Sequence, residues 1–290
     1  MKYDFDKVID RKETHAVKWD RYLLDEFFGT SDVLPLWVAD MDFQCPQSVI
    51  DALKNKAEEG IYGYTWHKHP TYYEAIKGWM KRRHNWEIED DWIVYSPGIV
   101  PAIKVIIRNF SNPGDKIIVQ SPVYYPFFTA ITSNGRQILN NQLKLVNDRY
   151  EIDFTDFEEK AKDPLCKLFI LCSPHNPVGR VWTKEELLRM GEICLKHDVL
   201  VISDEIHNDL ILPGEKHVIF SELSKEIENI TIMCTAPSKT FNLAGLQMSN
   251  IIIPNEKIRE QVNIAFRERN SLGIPNAFGL AALIAAYSEG

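Results

Sequence analysis

The chain has 290 residues, 45% of them hydrophobic, enough for a large core in one or two domains. Its formal net charge is −8 and it carries no basic block, which argues against a nucleic-acid surface. No apolar run reaches membrane-spanning length, and the charged start Met1–Asp10 lacks the apolar core of a secretion signal. Five cysteines, at 45, 166, 172, 194 and 234, form no CxxC pair. Those at 172, 194 and 234 fall in apolar patterns and read as reduced core residues. A cytoplasmic enzyme fits these properties.

Pro46 opens a helical pattern in which Val49, Ile50, Leu53 and Ala57 share a face, and Gly60 closes it. A second helix is expected from Thr71 to His84. Trp92–Tyr95 reads as a short strand, followed by Ser-Pro-Gly and a helix from Ile99 to Phe110. Lys116–Gln120 and Leu168–Cys172 read as strands. Thr183 and Glu186 form a capping box for a helix with Leu187, Met190 and Cys194 on one side. Val199–Ser203, Ile230–Cys234 and Asn250–Ile253 are continuous apolar strands. Helices follow near Glu256–Arg269 and Asn276–Tyr287. Apolar strands between amphipathic helices predict an α/β fold with a mostly parallel sheet covered on both faces. In such sheets ligands collect beyond the carboxyl ends of the strands.

Five post-strand segments carry chemistry. In Ser96-Pro-Gly-Ile-Val-Pro-Ala102, Gly98 lets a ligand approach, and the amides of Gly98, Ile99 and Val100 at a helix start favour a phosphate. An ordinary βα turn is the plainer alternative. In Gln120-Ser-Pro-Val-Tyr-Tyr-Pro-Phe127, Tyr124 or Tyr125 can lay its ring on a planar cofactor, or both can simply pack in the core. In Ser173-Pro-His-Asn-Pro-Val-Gly179, Asn176 presents an amide suited to a phenolic oxygen, or caps a turn. Asp204 in Ser203-Asp-Glu-Ile-His207 ends the most apolar strand, so a desolvated carboxylate there calls for a cation. A protonated pyridine nitrogen is one; a metal or a salt bridge are the alternatives. Neighbouring His207 raises the metal option, but metal-ligand spacing is absent, and His67 and His69 read as exposed loop residues. Lys239, in Ala236-Pro-Ser-Lys-Thr-Phe-Asn-Leu-Ala-Gly-Leu-Gln247, follows a strand and is flanked by Ser238. A lysine so placed can form a Schiff base with pyridoxal phosphate. Five such segments in order outweigh their separate plain explanations.

With these motifs, and with Pro35-Leu-Trp-Val-Ala-Asp-Met-Asp-Phe43 and Tyr62-Gly-Tyr-Thr-Trp66, the chain resembles fold type I pyridoxal phosphate enzymes of the class I/II aminotransferase family. Within them it is similar to the cystathionine β-lyase or cysteine-S-conjugate β-lyase (MalY/PatB-type) branch. The resemblance implies pyridoxal 5′-phosphate as cofactor, Lys239 as its covalent attachment and Asp204 as partner of the pyridine nitrogen. It implies Asn176, with His207, at the ring oxygen, and Tyr124 stacked on the ring. Gly98, Ile99, Val100 and Ser238 would hold the phosphate. Tyr64 would reach the phosphate of the neighbouring subunit, giving a homodimer with a shared site. Trp37–Ala39 would pass near the substrate carboxylate. Residues 1–45 would belong to a small domain and 46–290 to the cofactor-binding domain. Two departures stand out. Gln247 occupies the place where many aminotransferases have an arginine, and Ala236 that of a serine or threonine. The chain also stops at Gly290, where family members continue into a lobe bearing the carboxylate-binding arginine. A fragment with weakened activity is the expectation.

The implied reaction is β-elimination of a thiolate, giving pyruvate and ammonia. Transamination by the same lysine is the runner-up, and a cofactor-binding regulatory protein is a third possibility from another class.

Overall fold

Strands and helices alternate along the chain in a computed structural model that describes residues 3–290. Helix α1 (Arg21–Phe28) is capped by Asp20, and its end turns on Gly29 at φ 74°. α2 (Gln47–Glu58) begins after Pro46, and α3 (Pro70–His84) starts on Pro70 and stops at Asn85 in the left-handed region. Then follow β1 (Ile93–Ser96), α4 (Ile99–Phe110), β2 (Lys116–Val119) and α5 (Pro126–Thr132). β3 (Gln137–Asn140) leads to a small hairpin of β4 (Lys144–Val146) and β5 (Arg149–Glu151). After α6 (Phe154–Ala161) and β6 (Cys166–Cys172), the Thr183–Glu186 capping box opens α7 (Lys184–Lys196) as expected. β7 (Leu200–Asp204), α8 (Lys225–Asn229), β8 (Thr231–Thr235) and the short α9 (Pro237–Thr240) come next. β9 (Ser249–Ile252), α10 (Glu256–Arg267) and α11 (Ala277–Glu289) complete the order. Several expected strands lie one or two residues from their predicted bounds.

The main sheet has the order β1-β9-β8-β7-β6-β2-β3. Pairings among β8, β7, β6, β2 and β3 are parallel, while β9 is antiparallel to both β1 and β8. It follows that β1 runs the same way as β8. The carboxyl ends of β1, β8, β7, β6 and β2 therefore open on one edge of the sheet. Register keeps them level, since Cys172 pairs with Asp204, and Asp204 with Cys234.

Alternate strand residues enter opposite cores. Ile117, Ile170, Ile202, Ile232 and Ile251 pack against α4, α5 and α10. Phe169, Leu171 and Val201 meet α6 and α7 on the other face, where Met233 and Ile252 meet α3 and α11. Each fully buried aliphatic side chain of this kind stabilises the fold by roughly 1.5–3 kcal/mol. Sheet rigidity is what fixes the strand ends, and the loops there can carry strained or polar groups.

Cys166, Cys172, Cys194 and Cys234 are buried, and all five cysteines are free. No helix among the described residues is long and apolar enough to cross a membrane. One expectation fails. His67 is not an exposed loop residue: it is 5% exposed, with its ring against Tyr72 and Tyr95 at centroid distances of 5.4 and 5.6 Å. Burial, with Lys68 and Arg267 nearby, pushes its pKa down to about 4, so it stays neutral. The aromatic residues that cover it lie on α3 and β1, away from its own loop, so local sequence did not reveal them. His69 is exposed and caps α3.

Candidate active site

Asp204 is the last residue of β7, a strand buried along almost its whole length. Its carboxylate is 5% exposed and accepts one hydrogen bond, from the Ile206 amide at 3.3 Å. Among the described residues it makes no ion pair. Burial, with Glu205 nearby and only partial relief from Lys239, pushes its pKa up to about 7. Cys172 and Cys234 flank it on the neighbouring strands, so its surroundings are apolar. A carboxylate so placed is short of a cation.

Lys239 lies on α9, just beyond β8, the next strand over. Its ammonium donates to the Ala39 carbonyl at 2.8 Å. Burial holds its pKa below the usual lysine range, against the pull of Asp40 and Asp204. The flanking Ser238 is half-buried and lies in the same short helix. His207, three residues past Asp204, is half-buried, and burial with the Lys239 charge pushes it down to about 4. At neutral pH its imidazole is therefore neutral, able to donate one hydrogen bond without adding charge.

Of the two tyrosines after β2, Tyr125 is exposed and Tyr124 is half-buried. Tyr124 packs edge-on against Phe127 at 5.6 Å, and its hydroxyl pKa is raised by burial, Tyr125 and Asp204. Of the two, Tyr124 is the one whose hydroxyl feels the Asp204 charge. Asn176 is half-buried after β6; its amide N–H donates to Cys172 Sγ at 3.3 Å, which holds the loop against the strand end. At the end of β1, Gly98 starts α4 in extended backbone at φ −178° and ψ 159°, with no side chain capping the helix. The first-turn amides are left available to an anion. A Cβ on Gly98 would stand 3.3 Å from Pro101 Cδ, so the turn is tight. Gln120 Oε1, Ser173 Oγ and Asn208 Nδ2 are buried near these strand ends without partners among the described residues.

Tyr124 lies near enough to Asp204, Asp204 to Lys239, and Lys239 to His207 for charge on one to affect the other, and Gly98–Val100 and Asn176 lie on the same edge of the sheet. Tyr64 is not among them. It is 98% exposed, in a loop where Ile61, Tyr62 and Trp66 are also exposed. Two further residues touch the site's framework without having been singled out from the sequence. Asn242 bonds the backbone of Met41 and Phe43, and Asp209 binds Thr240. Neither belongs to a periodic pattern, and their partners lie 201 and 31 residues away.

An uncapped helix start, a half-buried tyrosine ring, an amide, a buried carboxylate short of a cation and a desolvated lysine fit a phosphorylated pyridine aldehyde. Comparison with known proteins agrees. The model of the family "Aminotransferase class I and II" matches residues 31–289. Cystathionine beta-lyase PatB of Bacillus subtilis is 49% identical over 287 residues, covering 99% of this chain and 73% of PatB. Cystalysin of Treponema denticola, whose crystal structure contains pyridoxal 5′-phosphate, is 43% identical, with a TM-score of 0.94 over 100% of this chain and 73% of its own. The pyridoxal-phosphate-bound C-S lyase of Staphylococcus hominis is 36% identical, with a TM-score of 0.91 over 100% of this chain and 72% of its own.

Proposed function

Because the chain belongs to the class I and II aminotransferase family, we propose that it is a pyridoxal-phosphate-dependent carbon–sulfur β-lyase. Its substrates are cystathionine or cysteine S-conjugates, and its products a thiol, pyruvate and ammonia. The observation that carries the cofactor assignment is Asp204, a buried carboxylate with one backbone donor and no ion pair among the described residues. The likeness to PatB and to the Staphylococcus hominis lyase supports elimination over amino-group transfer.

Bound pyridoxal phosphate supplies an aldehyde for amine exchange and a protonated ring that accepts negative charge from the substrate Cα. Lys239 would be the residue that holds the cofactor covalently and, once freed by the substrate amine, the base that takes the Cα proton. Its depressed pKa keeps more of it as the neutral amine that both tasks require. Asp204 would keep the ring nitrogen protonated, and the pair would relieve the desolvation that the carboxylate otherwise suffers. Tyr124 would lie on the ring face, while Asn176 and neutral His207 would hold the ring oxygen. The amides of Gly98, Ile99 and Val100, with Ser238, would take the phosphate at the uncapped start of α4. As the Cα proton passes to Lys239, the Cβ–S bond breaks and the thiolate leaves. Lys239 would pass that proton on to the thiolate and retake its own place, which frees the enamine; water then converts it to pyruvate and ammonia.

The sheet lies wholly within residues 93–252, and we assign cofactor binding to residues 46–290, with 1–45 as part of a second, smaller unit. Tyr64 serves a second copy of the chain: its full exposure and its apolar neighbours leave it open to a partner's phosphate cup, in a homodimer. Five free cysteines suit a cytoplasmic setting.

The test is product analysis on the purified protein with pyridoxal phosphate and a cysteine thioether. Thiol and pyruvate should appear in equal amounts. Conversion of an added keto acid to its amino acid, without pyruvate release, would replace the lyase with an aminotransferase.

A further inference from the structure

The backbone that meets Lys239 belongs to residues 39–43, which have no helix or strand to hold them. Irregular backbone keeps its place only through bonds to side chains or water. Here those bonds come from two sides. On one, Arg11 bridges Asp40 Oδ2 and Asp42 Oδ1 at 2.7 Å each and donates to the Met41 carbonyl at 3.2 Å. Lys18 adds bonds to Asp42 Oδ2 at 2.6 Å and to the Asp40 carbonyl at 3.1 Å. On the other side stands one residue, Asn242, three positions after Lys239. Its Oδ1 accepts from the Met41 amide at 3.1 Å, and its Nδ2 donates to the carbonyls of Met41 at 2.8 Å and Phe43 at 3.0 Å.

Asn242 also sits at φ 59°, in the left-handed region where asparagine is among the few comfortable residues. That backbone turns the side chain back toward 41–43, and the amide's donor and acceptor match both sides of the Met41 peptide. Aspartate lacks the donor, and glycine lacks the arm.

We propose that Asn242 is a positioning residue: its amide latches the 39–43 segment onto the loop of Lys239 and thereby sets the Ala39 carbonyl against the lysine. The segment then bounds the space in which an amino-acid substrate must meet the amine. This deepens the lyase reading and rests on it for the part that concerns substrate.

The test uses the full chain, with and without pyridoxal phosphate, as the unaltered protein, Asn242→Gly and Asn242→Asp. Glycine keeps the left-handed backbone and removes the latch; aspartate keeps the acceptor for the Met41 amide only. Hydrogen exchange at the Met41 amide should quicken at least tenfold in Asn242→Gly, with β7 amides unchanged and Asn242→Asp in between. KM for a cysteine thioether should rise at least fivefold in Asn242→Gly, with kcat within about threefold. A merely structural defect would lower kcat through loss of active molecules and leave KM alone. Unchanged exchange at Met41 overturns the latch, and faster exchange with unchanged KM overturns its positioning role. If the unaltered chain releases no pyruvate, the lyase reading fails, and exchange at Met41 alone decides the latch.

Discussion

Thr240 Oγ1 donates to Asp209 Oδ2 at 2.8 Å, and this bond ties the short helix of Lys239 to the loop that follows Asp204. Asp209 is almost wholly buried and also accepts from Trp79 Nε1 at 3.1 Å and His84 Nε2 at 3.0 Å, both on α3. Burial opposes its ionisation, but these donors hold its pKa below the usual carboxylate range. One buried carboxylate thus joins three elements around the lysine.

Thr240→Val should therefore leave Asp209 one donor short and cost about 1–3 kcal/mol of stability. Thr240→Ser should restore most of it. Urea unfolding of the three proteins checks this, and equal midpoints would mean the bond contributes nothing.

Asp204 gives a pH signature in cofactor-free protein. Its folded pKa of about 7 lies above the ordinary aspartate value. The folded chain therefore binds the proton more tightly than the unfolded chain does. Stability should fall as pH rises from about 4 to about 7, by an amount on the order of 4 kcal/mol, and then level off. Asp204→Asn should lack this component. Unfolding of both proteins at pH 5 and pH 8 measures it; parallel pH dependence would show that the carboxylate is not desolvated.

The proposed phosphate site at the start of α4 is open to a milder change. Gly98→Ala places a methyl 3.3 Å from Pro101 Cδ, so the first turn of α4 must shift by a few tenths of an ångström. Backbone conformation is no obstacle, since φ −178° suits any residue. Cofactor affinity should fall about tenfold, or ~1.4 kcal/mol, while cofactor-free melting stays nearly unchanged. A cofactor titration decides it.

Six of the main sheet's seven strands were legible because they are short, apolar and punctuated, whereas β3 is partly exposed and was not read; Ile99–Phe110 could be bounded to the residue. Strand-end placement of Gly98, Tyr124, Asn176, Asp204 and Lys239 followed from the same punctuation. Choosing Tyr124 over Tyr125 did not, because adjacent aromatics look alike; the family resemblance supplied that choice, and burial now separates the two. α1 and α5 lack the long apolar period that marks a helix, and the β4–β5 hairpin is mostly exposed. Asn242, Asp209 and buried His67 act through partners on other elements. Nothing in their own neighbourhoods encodes those contacts.

The most direct measurement is borohydride reduction of the protein loaded with pyridoxal phosphate, followed by peptide mapping. The account predicts one modified residue, Lys239, and loss of both the label and the bound cofactor's visible absorbance in Lys239→Ala. A label on any other lysine, or full labelling of Lys239→Ala, would contradict it.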